Sequence, residues 1–347
     1  KVNMVLHGDG SAHIFKDDAF KPFAGYTDVR LRPCSDTQRS ISRSRYKPDV
    51  CESFDLVVSN PPFGITLSSE ARAKLWATFT LPDSTPSEGL YVERCFQLLK
   101  PGGRLAVVLP ESLLNSKEMS GVRLFLYRFF RVRVIVSLPR NIFIDTPTLT
   151  SLVFAQKKTG AEIEQWDTEW ARAQGVVEGC VKAASKALRK SFAEGHTGKQ
   201  VADAFLKGIA PVVKGTDWVS KSGKSPALLR MAMDWNTETG EEVAVYYREV
   251  MKTAGFEALC QSCAFAQVAA KLDYDFPVFQ VDEVGYKLSK RKEKARPNQL
   301  CLFKSCTTKA LVTNLHFAEE ECEIVVNKAS PQTVLDLIRK QVKWRLA

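Results

Sequence analysis

The chain has 347 residues, of which 45% are hydrophobic and 25% are charged, and this is the composition of an ordinary globular protein. Its apolar runs are too short to span a membrane, and its first residues have no signal-peptide pattern. Its nine cysteines lack the spacing of a disulfide scaffold, so we expect reduced thiols, a cytoplasmic location and no membrane partner. The formal net charge of +10 suits a polyanionic partner without identifying one.

Two stretches of the sequence are strongly basic. The first is rich in serine and precedes the first predicted strand, and the second covers Lys287–Arg296. The residues that we predict to contact a DNA backbone are Arg39, Arg43, Arg45, Lys47, Lys290, Arg291 and Lys292. Each stretch is suited to neutralising phosphates, and each is equally well explained as a solvated loop.

The most informative segment is Phe54–Phe63, which reads Phe-Asp-Leu-Val-Val-Ser-Asn-Pro-Pro-Phe. Its apolar run predicts a buried strand. Two successive prolines cannot continue a strand ladder because neither has an N–H to donate, so the chain must leave the sheet at Asn60. The amide of Asn60 is then presented at the carboxyl end of a strand, where open α/β sheets bind their ligands.

This corner suits one kind of chemistry. The exocyclic amine of a nucleobase is a poor nucleophile because its lone pair is delocalised into the ring. The side-chain oxygen of Asn60 and the carbonyl of Pro61 would each accept one amine hydrogen and so free the lone pair. Phe63 offers a ring face to a base turned out of the helix. The simpler alternative is a strand that ends in a proline-rich turn.

The following segments alternate between helix and strand. A helical pattern over Glu88–Leu99 ends at a Lys-Pro-Gly-Gly sequence. Further along the chain we predict a strand over Arg104–Leu109, a helix over Arg123–Phe130, and strands over Val132–Leu138 and Thr148–Ala155. This order predicts a largely parallel α/β sheet.

After Gly160 the sequence becomes mainly helical, with helices predicted over 166–193, 199–209 and 241–272 and a loop over 214–226. A strand with a turn is predicted over 277–286, and a terminal helix runs from Ser330 and Pro331 to Trp344. Cys260 and Cys263 have a metal-type spacing, but no second pair completes a site. Their helical pattern favours core packing over zinc, and we predict no metal.

Four segments together resemble the N6-adenine DNA methyltransferase family, and most closely the modification subunit of type I restriction–modification systems. They are Leu6–Gly10, Asn60–Gly64, Leu98–Arg104 and Ile142–Phe154. The resemblance covers Lys1 to about Lys158. It implies an α/β fold with a Rossmann-like sheet that uses S-adenosylmethionine, and it implies double-stranded DNA as the partner.

The resemblance also implies site roles. Asn60 and Pro61 would polarise the target amine, Pro62 would shape the turn, and Phe63 would stack on the flipped adenine. Asp18 matches the acidic residue that touches the adenine amine of the donor, although it is also explained as an ordinary surface acid. Phe143 matches a second aromatic residue beside the target base, although core packing explains it equally well.

One expected part of the family pattern is missing from the sequence. The family places a strand and a glycine-rich, donor-cradling turn before the catalytic motif, and no such turn precedes Asn60. We therefore expect the sheet to be incomplete at its amino-terminal side. An upstream segment or a second chain would then complete the donor site, and a separate specificity subunit would read the DNA sequence.

These observations predict three regions: a partial methyltransferase domain over 1–160, a mainly helical region or insertion over 161–275, and a carboxyl-terminal segment over 276–347 with a strand, a basic loop and a helix. The function that follows is adenine-N6 methylation of DNA in a restriction–modification or related defence system. Two alternatives stay open. One is an incomplete remnant or assembly subunit that binds DNA or another chain, and the other is a protein glutamine N5-methyltransferase.

Overall fold

The structure is a computed structural model, and it describes most of the chain up to residue 281. The described ranges are 14–81, 86–116, 118–140, 148–213, 239–272, 275–281, 286–287, 294–295, 303–309 and 323–324, with residues 342 and 344. Phe143, the basic residues Lys290, Arg291 and Lys292, and nearly all of the predicted terminal helix lie outside these ranges.

The described strands form a seven-stranded sheet in the order β1-β2-β4-β3-β5-β8-β9, with a separate two-stranded pair β6-β7. Their bounds are β1 Phe54–Ser59, β2 Leu99–Pro110, β3 Phe130–Ser137, β4 Thr150–Lys157, β5 Asp275–Val281, β6 Tyr286–Lys287, β7 Lys294–Ala295, β8 Phe303–Lys309 and β9 Glu323–Ile324. The predicted α/β class and the four amino-terminal strands are confirmed. The strands β7, β8 and β9, which are short or polar, were not predicted from the sequence. The prediction of a buried strand for β1 is corrected, because Leu56 is 56% exposed and Val58 is 72% exposed.

The prediction of a largely parallel sheet is wrong. β1 runs parallel to β2 and β3 runs parallel to β5. β4 is inserted between β2 and β3 and is antiparallel to both. β5–β8 and β8–β9 are also antiparallel. The error has a physical reason, because continuous apolar strands are typical of any strand with two covered faces and do not report its direction.

The predicted helices that fall within the described ranges are present, and two further short helices, Ser69–Ala73 and Glu111–Asn115, were not predicted from the sequence. The helix bounds are α1 Ser69–Ala73, α2 Ser87–Leu98, α3 Glu111–Asn115, α4 Ser120–Phe129, α5 Gly160–Ala193, α6 Gly198–Val213, α7 Gly240–Val250 and α8 Ala254–Leu272. The pattern predicted as one helix over 241–272 is two helices, α7 and α8. Short 3-10 turns lie at Phe23–Gly25 and Val29–Leu31. No helix in the described part of the chain is both long and apolar enough to cross a bilayer.

One large hydrophobic cluster joins the sheet to helices α2–α8. Leu105 and Val107 of β2 belong to this cluster and are almost fully buried. At its centre, the ring of Phe96 contacts the rings of Phe125 and Phe129 with centroid distances of 5.7 and 4.6 Å. The helices after Gly160 therefore share a core with the sheet, and the division of the chain at 160 and 275 stays a prediction.

Lys157, the last residue of β4, and Lys158, which follows it, have different surroundings. Lys157 is paired with Glu52 inside the protein. Lys158 is buried and donates a hydrogen bond to the carbonyl of Tyr127. Burial lowers the pKa of Lys158 from its ordinary 10.5 to about 7.

We expect Lys158 to make stability depend on pH. Its folded pKa of about 7 lies below its unfolded value of 10.5. Between these two values the unfolded chain binds more protons, so the contribution of this group to the free energy of unfolding rises with pH and is lowest below about pH 7. The stability of the wild type relative to Lys158→Met should therefore increase from pH 7 to pH 10, as measured by urea unfolding. A constant difference across that range would contradict the lowered pKa.

Candidate functional site

The Asn-Pro-Pro-Phe corner lies where the sequence predicts it. β1 ends at Ser59, and Asn60 follows with an exposed side chain. Pro61 is buried, Pro62 is exposed and Phe63 is half-buried. The amide of Asn60 is therefore available to a ligand at the carboxyl end of β1, and the buried Pro61 fixes the backbone beside it.

A buried carboxylate fixes the far end of this corner. Gly64 has a φ of 70°, a conformation that glycine adopts without strain, and its N–H donates to Glu88 Oε1. Glu88 lies in the first turn of α2 and is only 4% exposed, and it also accepts a hydrogen bond from the Ser87 hydroxyl. The sequence analysis missed Glu88, because a glutamate at the start of a helix is usually explained by the helix dipole alone.

We expect Glu88→Ala to loosen the corner. The substitution leaves the Gly64 N–H without its acceptor, at a cost of about 1–3 kcal/mol. Hydrogen exchange at Gly64 should become at least about tenfold faster. Glu88→Gln keeps an oxygen acceptor and should restore most of the protection. Equal exchange rates in the wild type and in Glu88→Ala would show that this contact does not hold the turn.

Asp18 lies beside a cavity. Asp18 Oδ1 accepts a hydrogen bond from the Phe20 N–H, and the Asp18 carbonyl accepts one from the Tyr26 hydroxyl. The cavity has a volume of about 210 Å³. Its walls include Phe15, Asp18, Phe23, Tyr26, Arg94 and Leu98.

The cavity borders the first residue of β1. Phe54 packs with Phe23, Tyr26 and Leu98, which line the cavity, and Phe54 is the first residue of β1. Asn60 follows the last residue of this six-residue strand, which spans about 20 Å. The structure brings Asn60, Pro61 and Phe63 together. Asp18 is linked to the start of α2, because the Phe20 ring beside it lies 4.6 Å from that of Tyr91, one helical turn after Glu88. Its contact with the donor stays a prediction.

Arg94 is the buried cation of this region, and the sequence analysis missed it. Its guanidinium lies between two rings, with its central carbon 4.4 Å from the centroid of Phe23 and 4.8 Å from that of Phe79. Its Nη2 donates to the carbonyl of Lys21 at 2.8 Å. Burial lowers the pKa of Arg94. The residue connects α2 to the segment that carries Asp18.

Contrary to the sequence prediction, the side chains of the first basic stretch are not all free to contact DNA. Arg39 has a side chain only 2% exposed, and its guanidinium donates to the carbonyls of Tyr46 and Pro48. It is a buried structural residue, and its assignment to the DNA backbone is wrong for this conformation. Arg43 is paired with Asp36 and Asp49, while Arg45 is paired with Glu164 of α5.

Arg43, Arg45 and Lys47 of this stretch can still be proposed to contact DNA phosphates. The ion pairs of Arg43 are at the surface, where exposed pairs are weak, so a phosphate could replace their partners. Lys47 is exposed. The DNA-backbone prediction is therefore retained for Arg43, Arg45 and Lys47, and nothing in the described ranges bears on Lys290, Arg291 or Lys292.

The cysteine pair of α8 packs in the core. Cys263 is buried and Cys260 is half-buried, and burial raises the pKa of the Cys260 thiol to about 11 and that of Cys263 to about 12. Thiols with raised pKa values are poor metal ligands because the metal binds the thiolate. Within the described ranges, no group of three or more His, Cys, Asp or Glu residues is arranged to hold a metal ion.

Comparisons with known proteins agree on one family. The model of the family described as N-6 DNA Methylase matches residues 1–174. The StySPI type I restriction enzyme methylase subunit of Salmonella potsdam is 31% identical over 112 residues, which are 32% of this chain and 20% of that protein. The EcoKI type I methylase subunit of Escherichia coli (strain K12) is 32% identical over 111 residues, which are 32% of this chain and 20% of that protein.

One solved structure of a similar protein covers less than half of this chain. The methyltransferase subunit of a type I restriction–modification system from Streptococcus thermophilus is 19% identical and covers 47% of this chain and 37% of its own, with a TM-score of 0.30. This chain thus spans about a fifth of the length of the curated relatives that it matches.

Proposed function

Because the chain belongs to the N-6 DNA methylase family, whose model matches residues 1–174, we propose that it forms the catalytic part of an adenine-N6 DNA methyltransferase. One observation carries the proposal. The exposed amide of Asn60 follows the carboxyl end of β1, beside the buried Pro61 and the half-buried Phe63. This is the constellation that a flipped adenine and its amine would need.

The chemistry of the corner follows from its two oxygen acceptors. Asn60 Oδ1 and the carbonyl of Pro61 accept the two hydrogens of the adenine amine. Both interactions strengthen as the nitrogen gains positive charge in the transition state, so they lower the barrier rather than only bind the base. Phe63 supplies a ring face for the base. The hydrogen bond that the Gly64 N–H donates to Glu88 holds the corner in place.

The methyl donor implied by the family is S-adenosylmethionine, which when bound supplies a methyl group on a sulfonium. The described residues do not fit the whole donor. The cavity beside Asp18 has about 210 Å³, whereas small-molecule sites measure about 300–1,000 Å³. Asp18 is proposed to contact the donor adenine only in an assembly that supplies further walls.

The proposed partners are double-stranded DNA, a separate specificity subunit and a polypeptide that completes the donor site, acting together in the cytoplasm on restriction–modification targets. The net charge of +10 and the exposed Lys47 support the DNA partner. The incomplete donor cavity favours a second candidate function, that of a subunit active only in assembly or inactive. No observation favours glutamine methylation, which we retain only as an outcome of the test.

The test is a transfer assay with tritium-labelled S-adenosylmethionine and two acceptors, duplex DNA and a glutamine peptide. The chain is assayed alone and with the completing fragment, defined here as the part of the Escherichia coli relative on the amino-terminal side of its match to this chain. We expect N6-methyladenine in DNA only when the fragment is present. Label in the peptide, or unlabelled DNA under both conditions, would contradict the proposal. Micromolar donor binding by the chain alone would contradict an incomplete site.

A further inference from the structure

A second cavity, larger than the one beside Asp18, is lined by α4 and the amino-terminal part of α5. Its volume is about 420 Å³, within the range of about 300–1,000 Å³ that small-molecule sites occupy. Two short loop segments, at residues 45–46 and 80–81, complete its walls. None of its lining residues belongs to the Asn60 corner or to the cavity beside Asp18, so the proposed methyl transfer leaves it unexplained.

The sequence builds one wall of this cavity from a single face of α4. The lining residues of α4 recur at the three- and four-residue spacing that places side chains on the same side of a helix. They are Gly121, Leu124, Phe125, Arg128 and Phe129. A Cβ added at Gly121 would meet nothing beyond its own helix backbone within 4 Å. The cavity is therefore open beside Gly121 rather than packed.

Two stacked indoles form a second wall. Trp166 and Trp170 lie one helical turn apart on α5, with ring centroids 5.0 Å apart and ring planes only 11° from parallel. Trp166 is buried in the core, whereas Trp170 is half-buried, and both line the cavity. A flat ring inside the cavity can therefore continue the stack beside Trp170.

The charged groups that line the cavity are two cations and one anion, Arg45, Arg128 and Asp167. Arg128 holds Asp167 through Nε and Nη2, at 2.7 and 2.9 Å. Arg45 Nη2 lies 2.7 Å from Oε1 of Glu164, whose side chain is 63% exposed. A single exposed carboxylate is a weak partner for an arginine, and a phosphate, which carries more charge and more acceptor oxygens, can replace it.

We propose that this cavity binds one nucleotide unit, with its base stacked beside Trp170 and its phosphate on Arg45 and Arg128. Every nucleobase has a flat π face, so this stacking accepts a base without selecting which one. The bound nucleotide joins α4, which leads into β3 of the sheet, to α5 of the helical region. The proposal does not depend on the proposed methyl transfer.

Two other classes of ligand fit this cavity less well. A quaternary ammonium is held by the faces of rings that surround it, whereas these two indoles are nearly parallel and two guanidiniums line the same cavity. A purely apolar ligand would cover Arg45 and Asp167 without offering either of them a hydrogen bond, which is unfavourable.

The experiment measures binding of guanosine monophosphate to the full chain by isothermal titration calorimetry. Guanine is chosen because the proposed donor and the proposed target base both carry adenine. We expect one site with a dissociation constant of about 0.1 mM or tighter, the strength that one stacked base and one phosphate contact supply. Ribose phosphate, which lacks the base, should bind at least about tenfold more weakly. Arg45→Gln should weaken nucleotide binding at least about tenfold, because it removes a charge-assisted contact.

A cavity-filling variant with a matched control locates the site. Gly121→Leu places a side chain in the cavity and favours the helix, so it should remain folded and lose nucleotide binding. Gly175→Leu makes the same change at an exposed glycine of α5 outside the cavity, where an added Cβ also meets nothing within 4 Å, and it should bind like the wild type. Urea unfolding checks that both variants keep the fold.

The outcomes are distinct. No binding at about 5 mM nucleotide, equally tight binding to Gly121→Leu, or equally tight binding of ribose phosphate would each overturn the proposal. A single-stranded oligonucleotide without adenine is compared with the free nucleotide in the same titration. Tighter binding of the oligonucleotide that is lost in Gly121→Leu would support the site and assign its nucleotide to a strand. Tighter binding of guanosine monophosphate would support the site and assign it to a free nucleotide.

Discussion

Asn60→Ala is expected to lower methyl transfer by the chain with the completing fragment by about 10²–10³-fold or more, because removing one preorganised transition-state contact has an effect of this size. The side chain of Asn60 is exposed and accepts no hydrogen bond from the described residues. Its loss should therefore leave the free energy of unfolding unchanged. Donor binding should also change little, since the amide acts on the target amine.

The matched control is Asn115→Ala, at an exposed asparagine that ends α3. Transfer rates for both variants are measured with labelled donor and duplex DNA under single-turnover conditions, so that product release does not hide the chemical step. Asn115→Ala should retain the wild-type rate. A wild-type rate in Asn60→Ala would remove the role assigned to this amide and, with it, the proposed mechanism.

The second large effect concerns stability and arises at Lys157. Its ammonium is fully buried and lies 2.6 Å from Glu52 Oε1, 2.9 Å from the carbonyl of Phe96 and 2.7 Å from that of Leu99. Glu52 is almost as buried and also accepts from the N–H of Ser40 at 3.0 Å. Burial lowers the pKa of Lys157, while Glu52 opposes that shift.

Lys157→Met is expected to lower the free energy of unfolding by about 3–5 kcal/mol, because it leaves the charge of Glu52 buried without its partner. The carbonyls of Phe96 and Leu99 at the end of α2 also lose their donor. The measurement is urea unfolding at pH 7.5. The matched control is Lys100→Met, because it removes a lysine whose ion pair with Asp55 is exposed, and such a pair should contribute only about 0–1 kcal/mol. Equal losses in the two variants would show that the ion pair is not the cause.

The sequence by itself determined the position of most helices and strands and of the Asn-Pro-Pro-Phe corner after β1. The two prolines after Ser59 end β1 wherever it is placed, because they have no N–H to donate, and Asn60 is left at the strand's end. Helical periodicity set α2 and α4 within three residues, and it set the end of α5 while placing its start six residues too late. The family also follows from short segments, because their residues and their order along the chain are read directly from the sequence.

Only the tertiary structure decided which strands are neighbours and which faces are covered. The antiparallel insertion of β4, the exposed face of β1 and the burial of Arg39 depend on contacts between residues far apart in the chain. Glu88 and Lys157 look like surface residues in the sequence, and they are buried because Gly64 and Glu52 meet them from other elements. Local patterns report the state of the backbone, whereas pairing and burial are decided by packing across the whole chain.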